Sequence, residues 1–134
     1  MAKHIIIIDD DETLSHMYGA RLEIAGLRVS YASDGQAGIA LVSKQMPDLI
    51  VLDIMMPKLN GFAVIKELRK KFAHHVCPII ILTNLSSAQV EINDEIANTL
   101  GVSHYLVKSR ITPAALVATI EDTLHIRRVT DGKL

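Results

Sequence analysis

Five residues of this sequence have side chains suited to handling a phosphoryl group, and each stands at the end of an apolar run. Asp9 and Asp10 follow "HIIII", Asp53 follows "LIVL", Thr83 closes "IIILT" and Lys108 follows "HYLV". Apolar runs this short predict buried strands. If the strands are parallel, their carboxyl ends share one edge, and the carboxylates, the hydroxyl and the ammonium converge there. Carboxylates a few ångströms apart repel one another unless a divalent cation sits among them. Mg²⁺ takes one or two protein carboxylates and completes an octahedral shell with water and phosphate oxygens. The threonine and lysine can bind the oxygens of a phosphoryl group carried by one carboxylate. The residues alone leave two assignments open: Asp9, first after its strand, is itself the nucleophile, or Asp9 and Asp10 hold the metal for Asp53.

The elements that must position these residues are legible as alternating patterns. Strand-like runs over His4–Ile8, Arg28–Ala32, Leu49–Leu52, Ile79–Thr83 and His104–Val107 are separated by stretches of helical spacing. Leu14, Met17, Tyr18, Leu22 and Ala25 form one stripe, ended by Gly26; Ala37, Ala40 and Leu41 form a second, stopped before Pro47. Phe62, Ile65, Leu68 and Phe72 form a third, Val90, Ile92, Ile96, Ala97 and Leu100 a fourth, and Leu116, Val117, Ile120 and Leu124 the last. Five β-α repeats predict an α/β fold with a parallel sheet, because a parallel neighbour needs a crossover that a helix supplies. The first, third and fourth strands are apolar at almost every position, as expected for strands covered on both faces, whereas "RVSYA" is mixed and reads as an edge. That pattern suits the flavodoxin-like order 2-1-3-4-5, a three-layer (βα)5 sandwich whose ligands bind beyond the carboxyl ends of strands 1 and 3.

Bulk properties bound the remainder. The 134 residues fit one domain, taken as 1–128 with a tail over 129–134. A formal net charge of −1 offers no electrostatic surface for nucleic acid or anionic lipid, so neither is expected as a partner. No segment has the length of a membrane span or the pattern of a signal peptide. A single cysteine, Cys77, permits no internal disulfide, agrees with a cytoplasmic setting and is expected to act as a small buried hydrophobe. The histidines at 4, 16, 74, 75, 104 and 125 lack metal-ligand spacing, Asp11 is expected only to cap a helix, and Arg69 to Lys71 are read as a solvated face.

Beyond these readings, the sequence resembles the receiver domains of two-component response regulators, over residues 4 to 126. The most specific stretch is "PDLIVLDIMMPKLNG", Pro47 to Gly61, similar to that family's phosphorylation segment; "IIIIDD", "IIILT" and "YLVK" stand around it in the family's order. The resemblance implies that Asp53 accepts a phosphoryl group from a sensor histidine kinase, a histidine phosphotransfer protein or a small phosphodonor. It implies Mg²⁺ (or Mn²⁺) held by Asp10 and Asp53 directly, by Asp9 through water and by the backbone carbonyl of Met55. Thr83 and Lys108 would assist catalysis, and Thr83 with Tyr105 would form a switch. The kinase would dock near the first helix, and a downstream protein target would meet the face built from the fourth helix, fifth strand and fifth helix. Such a chain is not an enzyme in the ordinary sense, although it promotes its own phosphorylation and dephosphorylation, and it is expected as a monomer or weak dimer.

Two other readings compete. Asp9-Asp10-Asp11-Glu12-Thr13 also fits the D-x-D-x-T string of haloacid-dehalogenase-type phosphatases, but the late metal-binding aspartates of that family have no counterpart, since Glu121 and Asp122 fall within a predicted helix. A phosphorylation-independent, receiver-like interaction module is the second, prompted by departures from the receiver pattern. Ser109 stands where most receivers have a proline joined by a cis bond to the lysine, Asn84 replaces a small residue, and the stretch between Thr83 and Gly101 is about three residues longer than the family spacing. Met55 and Leu85, two residues beyond Asp53 and Thr83, are apolar. A water attacking the phosphoryl group is then poorly oriented, which predicts slow self-dephosphorylation.

Overall fold

The structure is a computed structural model and describes residues 2–73, 77–84 and 101–126. Strands β1 (His4–Ile8), β2 (Arg28–Ala32), β3 (Leu49–Leu52), β4 (Ile79–Thr83) and β5 (His104–Val107) form one parallel sheet in the order β2-β1-β3-β4-β5. The expected order is therefore the observed one, with the mixed "RVSYA" strand at an edge. Every residue of β1, β3 and β4 is buried, which explains why these strands are apolar at all positions but His4 and Thr83.

Alternation along the strands divides the core in two. Ile6, Ile8, Ile50, Leu52, Ile79 and Ile81 face helices α2 (Gly35–Lys44) and α3 (Gly61–Phe72), supported by Val42, Val64, Ile65 and Leu68. Ile5, Ile7, Leu49, Val51, Ile80 and Leu82 face the other way, onto Tyr18 and Leu22 of α1 (Glu12–Ile24) and Leu116, Val117 and Ile120 of the last helix, Pro113–Thr123. The stripes of α3 and the last helix match the sequence pattern. The fourth stripe, Val90 to Leu100, lies outside the described residues.

Two stripes are placed differently from the expectation. On α1 the inward residues are Ser15, Tyr18, Gly19 and Leu22, while Met17 is 46% exposed. On α2 they are Gly35, Gly38 and Val42, while Ala37 and Ala40 face outward. The cause is close approach: a Cβ on Gly38 would stand 2.5 Å from Cδ1 of Ile8, so the helix rests almost on the strand where it lacks a side chain. Apolar periodicity is blind to such a contact because glycine carries no hydrophobic signal.

Capping fixes where the helices begin. Asp11, Asp34, Asn60 and Thr112 each accept a hydrogen bond from the backbone N–H three residues on, at 2.7–3.1 Å. The Asp11 expectation is met. The Arg69 to Lys71 expectation holds for Lys70 and Lys71, which are exposed, but Arg69 is half-buried and donates to the Gly101 carbonyl at 3.2 Å, tying α3 to the loop that enters β5.

Gly61 opens α3 directly beneath β3. A Cβ there would lie 2.5 Å from the Asp53 carbonyl oxygen and 2.9 Å from Cα of Ile54, and these backbone atoms cannot step aside as a side chain would. Gly61→Ala is expected to lower stability by about 1–3 kcal/mol, measured as a shift of the urea midpoint; an unchanged midpoint would show that the strand end yields freely. Cys77 packs against the α2/α3 core, and burial pushes its thiol up to about 12. Its alkylation by iodoacetamide at pH 8 is expected to be at least about a hundredfold slower than in the urea-unfolded chain. The native rate should keep rising above about pH 9, where that of the unfolded thiol levels off.

Candidate functional site

Sheet register brings the acids together. Ile8 pairs with Leu52, so the next residues, Asp9 and Asp53, are neighbours across β1 and β3, and the Asp53 N–H donates to the Ile8 carbonyl at 2.9 Å. Thr83 pairs with Val107, which places Lys108 one residue beyond the end of β5. Side-chain oxygens of Asp9, Asp10 and Asp53 all lie within 4.8 Å of one another, with Asp9 and Asp53 buried and Asp10 exposed. A cavity of about 330 Å³ opens above them, lined by Asp10, Asp11, Asp53, Met55, Asn84 and Lys108.

Lys108 is shared between the two buried carboxylates. Its ammonium donates to Asp9 Oδ2 at 2.6 Å and stands 3.5 Å from Asp53 Oδ2, with little of its side chain in contact with solvent. Burial works against this ammonium, but the hydrogen bond to Asp9 and the charge of Asp53 outweigh it and hold Lys108 above the usual lysine range. Burial pushes the Asp9 carboxyl above the usual carboxylate range; Lys108 and the Asp11 N–H pull it down, and the nearby Asp53 adds to the upward push. A single ammonium thus faces two buried carboxylates and a third at the rim.

Backbone donors orient the acids. The Asp11 N–H donates to Asp9 Oδ1 at 2.9 Å, and the Met55 N–H to Asp53 Oδ1 at 3.2 Å. The role of Asp11 in holding Asp9 was not legible in the sequence, because it belongs to the main chain and any residue type supplies it. No cis peptide bond occurs among the described residues, so Lys108-Ser109 is trans. Lys108 nevertheless reaches both acids, from the start of a 3-10 turn over Lys108–Arg110 that replaces the proline-containing loop of most receivers.

Thr83 is fully buried, and its hydroxyl has no hydrogen-bond partner. Leaving such a group unpaired costs about 1–3 kcal/mol, a strain relieved by an incoming acceptor. Tyr105 is half-buried and packs against the α2/α3 core. Asp9, Asp10, Asp53, Thr83 and Lys108 therefore lie at the carboxyl edge of the sheet, Tyr105 lies within β5 opposite Ile81, and Leu85 lies outside the described residues.

Comparison with known proteins agrees with this geometry. The profile of the family described as "Response regulator receiver domain" matches residues 5–121. A relative in Porphyridium aerugineum, named "Probable transcriptional regulator ycf27", is 40% identical over 122 residues, covering 90% of this chain and 48% of that protein. The "DNA-binding dual master transcriptional regulator RpaA" of Synechocystis is 40% identical over 104 residues, covering 78% of this chain and 42% of that one. The chain thus spans about half the length of the curated relatives it matches. Among solved structures, the Vibrio cholerae chemotaxis protein CheY4 superposes with a TM-score of 0.81 at 27% identity, covering 92% of this chain and 99% of that one. A response regulator receiver domain from Clostridium thermocellum gives 0.79 at 29%, covering 93% and 95%.

The chain belongs to the response regulator receiver domain family. It is a receiver domain of the two-component response regulator kind, with which a phosphoacceptor role is consistent, and neither the phosphatase reading nor the phosphorylation-independent reading is favoured. Among the described residues no helix is long and apolar enough to cross a membrane.

The acid cluster fits a hard divalent cation. Its oxygens are close enough to share one ion, and the imbalance of charge calls for one. Added Mg²⁺ at about ten times its dissociation constant should stabilise the protein by roughly 1.4 kcal/mol, read as a rise in thermal midpoint. Asp10→Asn and Asp53→Asn are each expected to abolish most of that rise, and an undiminished rise in both variants would place the ion elsewhere.

Proposed function

We propose that Asp53 is the residue that takes the phosphoryl group, with Asp9, Asp10, Thr83, Lys108 and the Met55 carbonyl as its machinery. The observation that carries this assignment is the pairing of a cavity-lining carboxylate with a buried, unpartnered hydroxyl and a shared ammonium at one sheet edge. Asp53 lines the cavity and is held loosely, by Lys108 at 3.5 Å and the Met55 N–H at 3.2 Å, whereas Asp9 is held more tightly, by Lys108 at 2.6 Å and the Asp11 N–H at 2.9 Å. Asp9 is therefore a poor nucleophile and a natural partner for a metal-bound water.

In the proposed step a carboxylate oxygen of Asp53 attacks the phosphorus of a phosphohistidine on a sensor kinase or phosphotransfer protein. The P–N bond breaks, and its electron pair stays with the imidazole. Asp10, Asp53 and the Met55 carbonyl would ligate Mg²⁺ or Mn²⁺ directly and Asp9 through water; the ion would neutralise charge on the transferring oxygens. Lys108, already 3.5 Å from Asp53 Oδ2, is positioned to follow the negative charge as it grows. The Thr83 hydroxyl donates to a phosphoryl oxygen and so acquires the partner it lacks. Tyr105 follows it, and the phosphoryl group stabilises one of two pre-existing arrangements.

The kinase docks near α1, and output passes to a downstream protein through the face made by the fourth predicted helix, β5 and the last helix. Names of the longer relatives point to transcriptional control, but a net charge of −1 gives this chain no general attraction for DNA, so its own contacts are assigned to protein. The proposed setting is the cytoplasm, and the proposed state a monomer or weak dimer.

Intact mass after incubation with Mg²⁺ and acetyl phosphate tests the assignment. One phosphoryl adduct is expected, absent with EDTA and absent in Asp53→Ala. An adduct that survives Asp53→Ala but not Asp9→Ala would overturn it. Because Met55 and Leu85 offer no acceptor to orient water, the adduct should persist for minutes or longer at neutral pH, and loss within seconds would contradict that expectation.

A further inference from the structure

Met55 is 59% exposed, more than Met17 at 46%, and it forms part of the wall of the acidic cavity. The adjacent Met56 is 8% exposed and belongs to the core, so the two methionines meet different chemistry. We infer that Met55 is a redox-sensitive modification site, at which oxidation to the sulfoxide shortens the lifetime of the phosphoryl group on Asp53. This inference rests on the reading of Asp53 as phosphoacceptor.

The oxidant is a hydroperoxide. A lone pair of the Met55 sulfur attacks the terminal peroxide oxygen, the O–O bond breaks, and the departing alkoxide or hydroxide leaves as alcohol or water after taking the proton. Sulfur loses two electrons and the peroxide gains them. Access favours Met55, and the nearby chemistry does not compete: the carboxylates, amide and ammonium lining the cavity are inert to peroxide. The Cys77 thiol is partly buried against the core, and burial holds it protonated, so little thiolate is available.

The product changes what the cavity wall can do. A thioether is a weak hydrogen-bond acceptor, whereas a sulfoxide carries a polar S–O group in the same place. Hydrolysis of an aspartyl phosphate needs a water aligned behind the phosphorus and able to shed a proton. The Met55 N–H donates to Asp53 Oδ1, which ties this residue to the phosphoacceptor and keeps its side chain beside the reacting group. A sulfoxide oxygen there accepts a hydrogen bond from the attacking water and orients it. Oxidation therefore converts a wall that neglects water into one that positions it, and the signal becomes shorter under peroxide.

The test uses the full chain, treated with hydrogen peroxide, quenched with catalase and mapped by peptide mass for a single added oxygen. It is then phosphorylated with acetyl phosphate and Mg²⁺, freed of donor, and followed by intact mass. Met55 should take up oxygen ahead of Met56, and the treated protein should lose its phosphoryl group about fivefold faster than untreated protein, the factor expected of one oriented hydrogen bond. The treated-to-untreated ratio should persist in Met17→Leu, vanish in Met55→Leu and return to unity after methionine sulfoxide reductase. An unmodified Met55, an unchanged decay rate after its oxidation, or the same ratio in Met55→Leu would each overturn the inference. Failure of untreated protein to form any adduct is a separate result, which overturns the phosphoacceptor reading and this inference with it.

Discussion

Two buried carboxylates at the carboxyl edge of a parallel sheet share one lysine ammonium. Asp9 and Asp53 are each 5% exposed, and Lys108 lies 2.6 Å from one and 3.5 Å from the other. A third acid, Asp10, completes the cluster, so the site carries more negative charge than its own residues neutralise. Such a cluster is unfavourable in a low-dielectric setting and is retained only where the surroundings fix it. Rigidity comes from β1 and β3, buried along their whole length and locked in register up to the residue before each acid. The stability invested in the apolar strands is thereby spent at their ends, where it holds these charges together.

The same constraint explains the packing around the site. Helices α2 and α3 approach the sheet through Gly38 and Gly61, where a side chain would strike Ile8 or the Asp53 carbonyl. The approach at Gly61 sets the level of the loop that carries Met55, whose N–H in turn orients Asp53. On the far side of the cluster, the buried Thr83 hydroxyl waits without a partner at the end of β4. Electrostatics and one unsatisfied hydroxyl thus favour the same change, the arrival of an oxygen-rich anion together with a divalent cation.

The parts legible in the sequence were those that depend on residue type and period. Short apolar runs marked the strands, the residue after each run marked the site, and the order of mixed and fully apolar strands gave the sheet order. Contacts made by small residues or by the main chain were not legible. Gly35 and Gly38 carry the inward face of α2 although Ala37 and Ala40 look more apolar, and Met17 faces solvent although its spacing fits the α1 stripe. Arg69, read as part of a solvated run, bonds a carbonyl 32 residues away, and local pattern holds no record of that distance. Ser109 left the geometry of Lys108 open, and a trans bond followed by a 3-10 turn brings the ammonium to both acids.

The claim on which the rest depends is that the surplus of carboxylate is there for a divalent cation beside Asp53. Anomalous diffraction from crystals grown with Mn²⁺ tests it most directly. One peak is predicted between Asp9, Asp10 and Asp53, with oxygens of Asp10, Asp53 and the Met55 carbonyl about 2.1 Å from it, by analogy with Mg²⁺. No peak there at saturating Mn²⁺, with Lys108 still bridging Asp9 and Asp53, would contradict the claim.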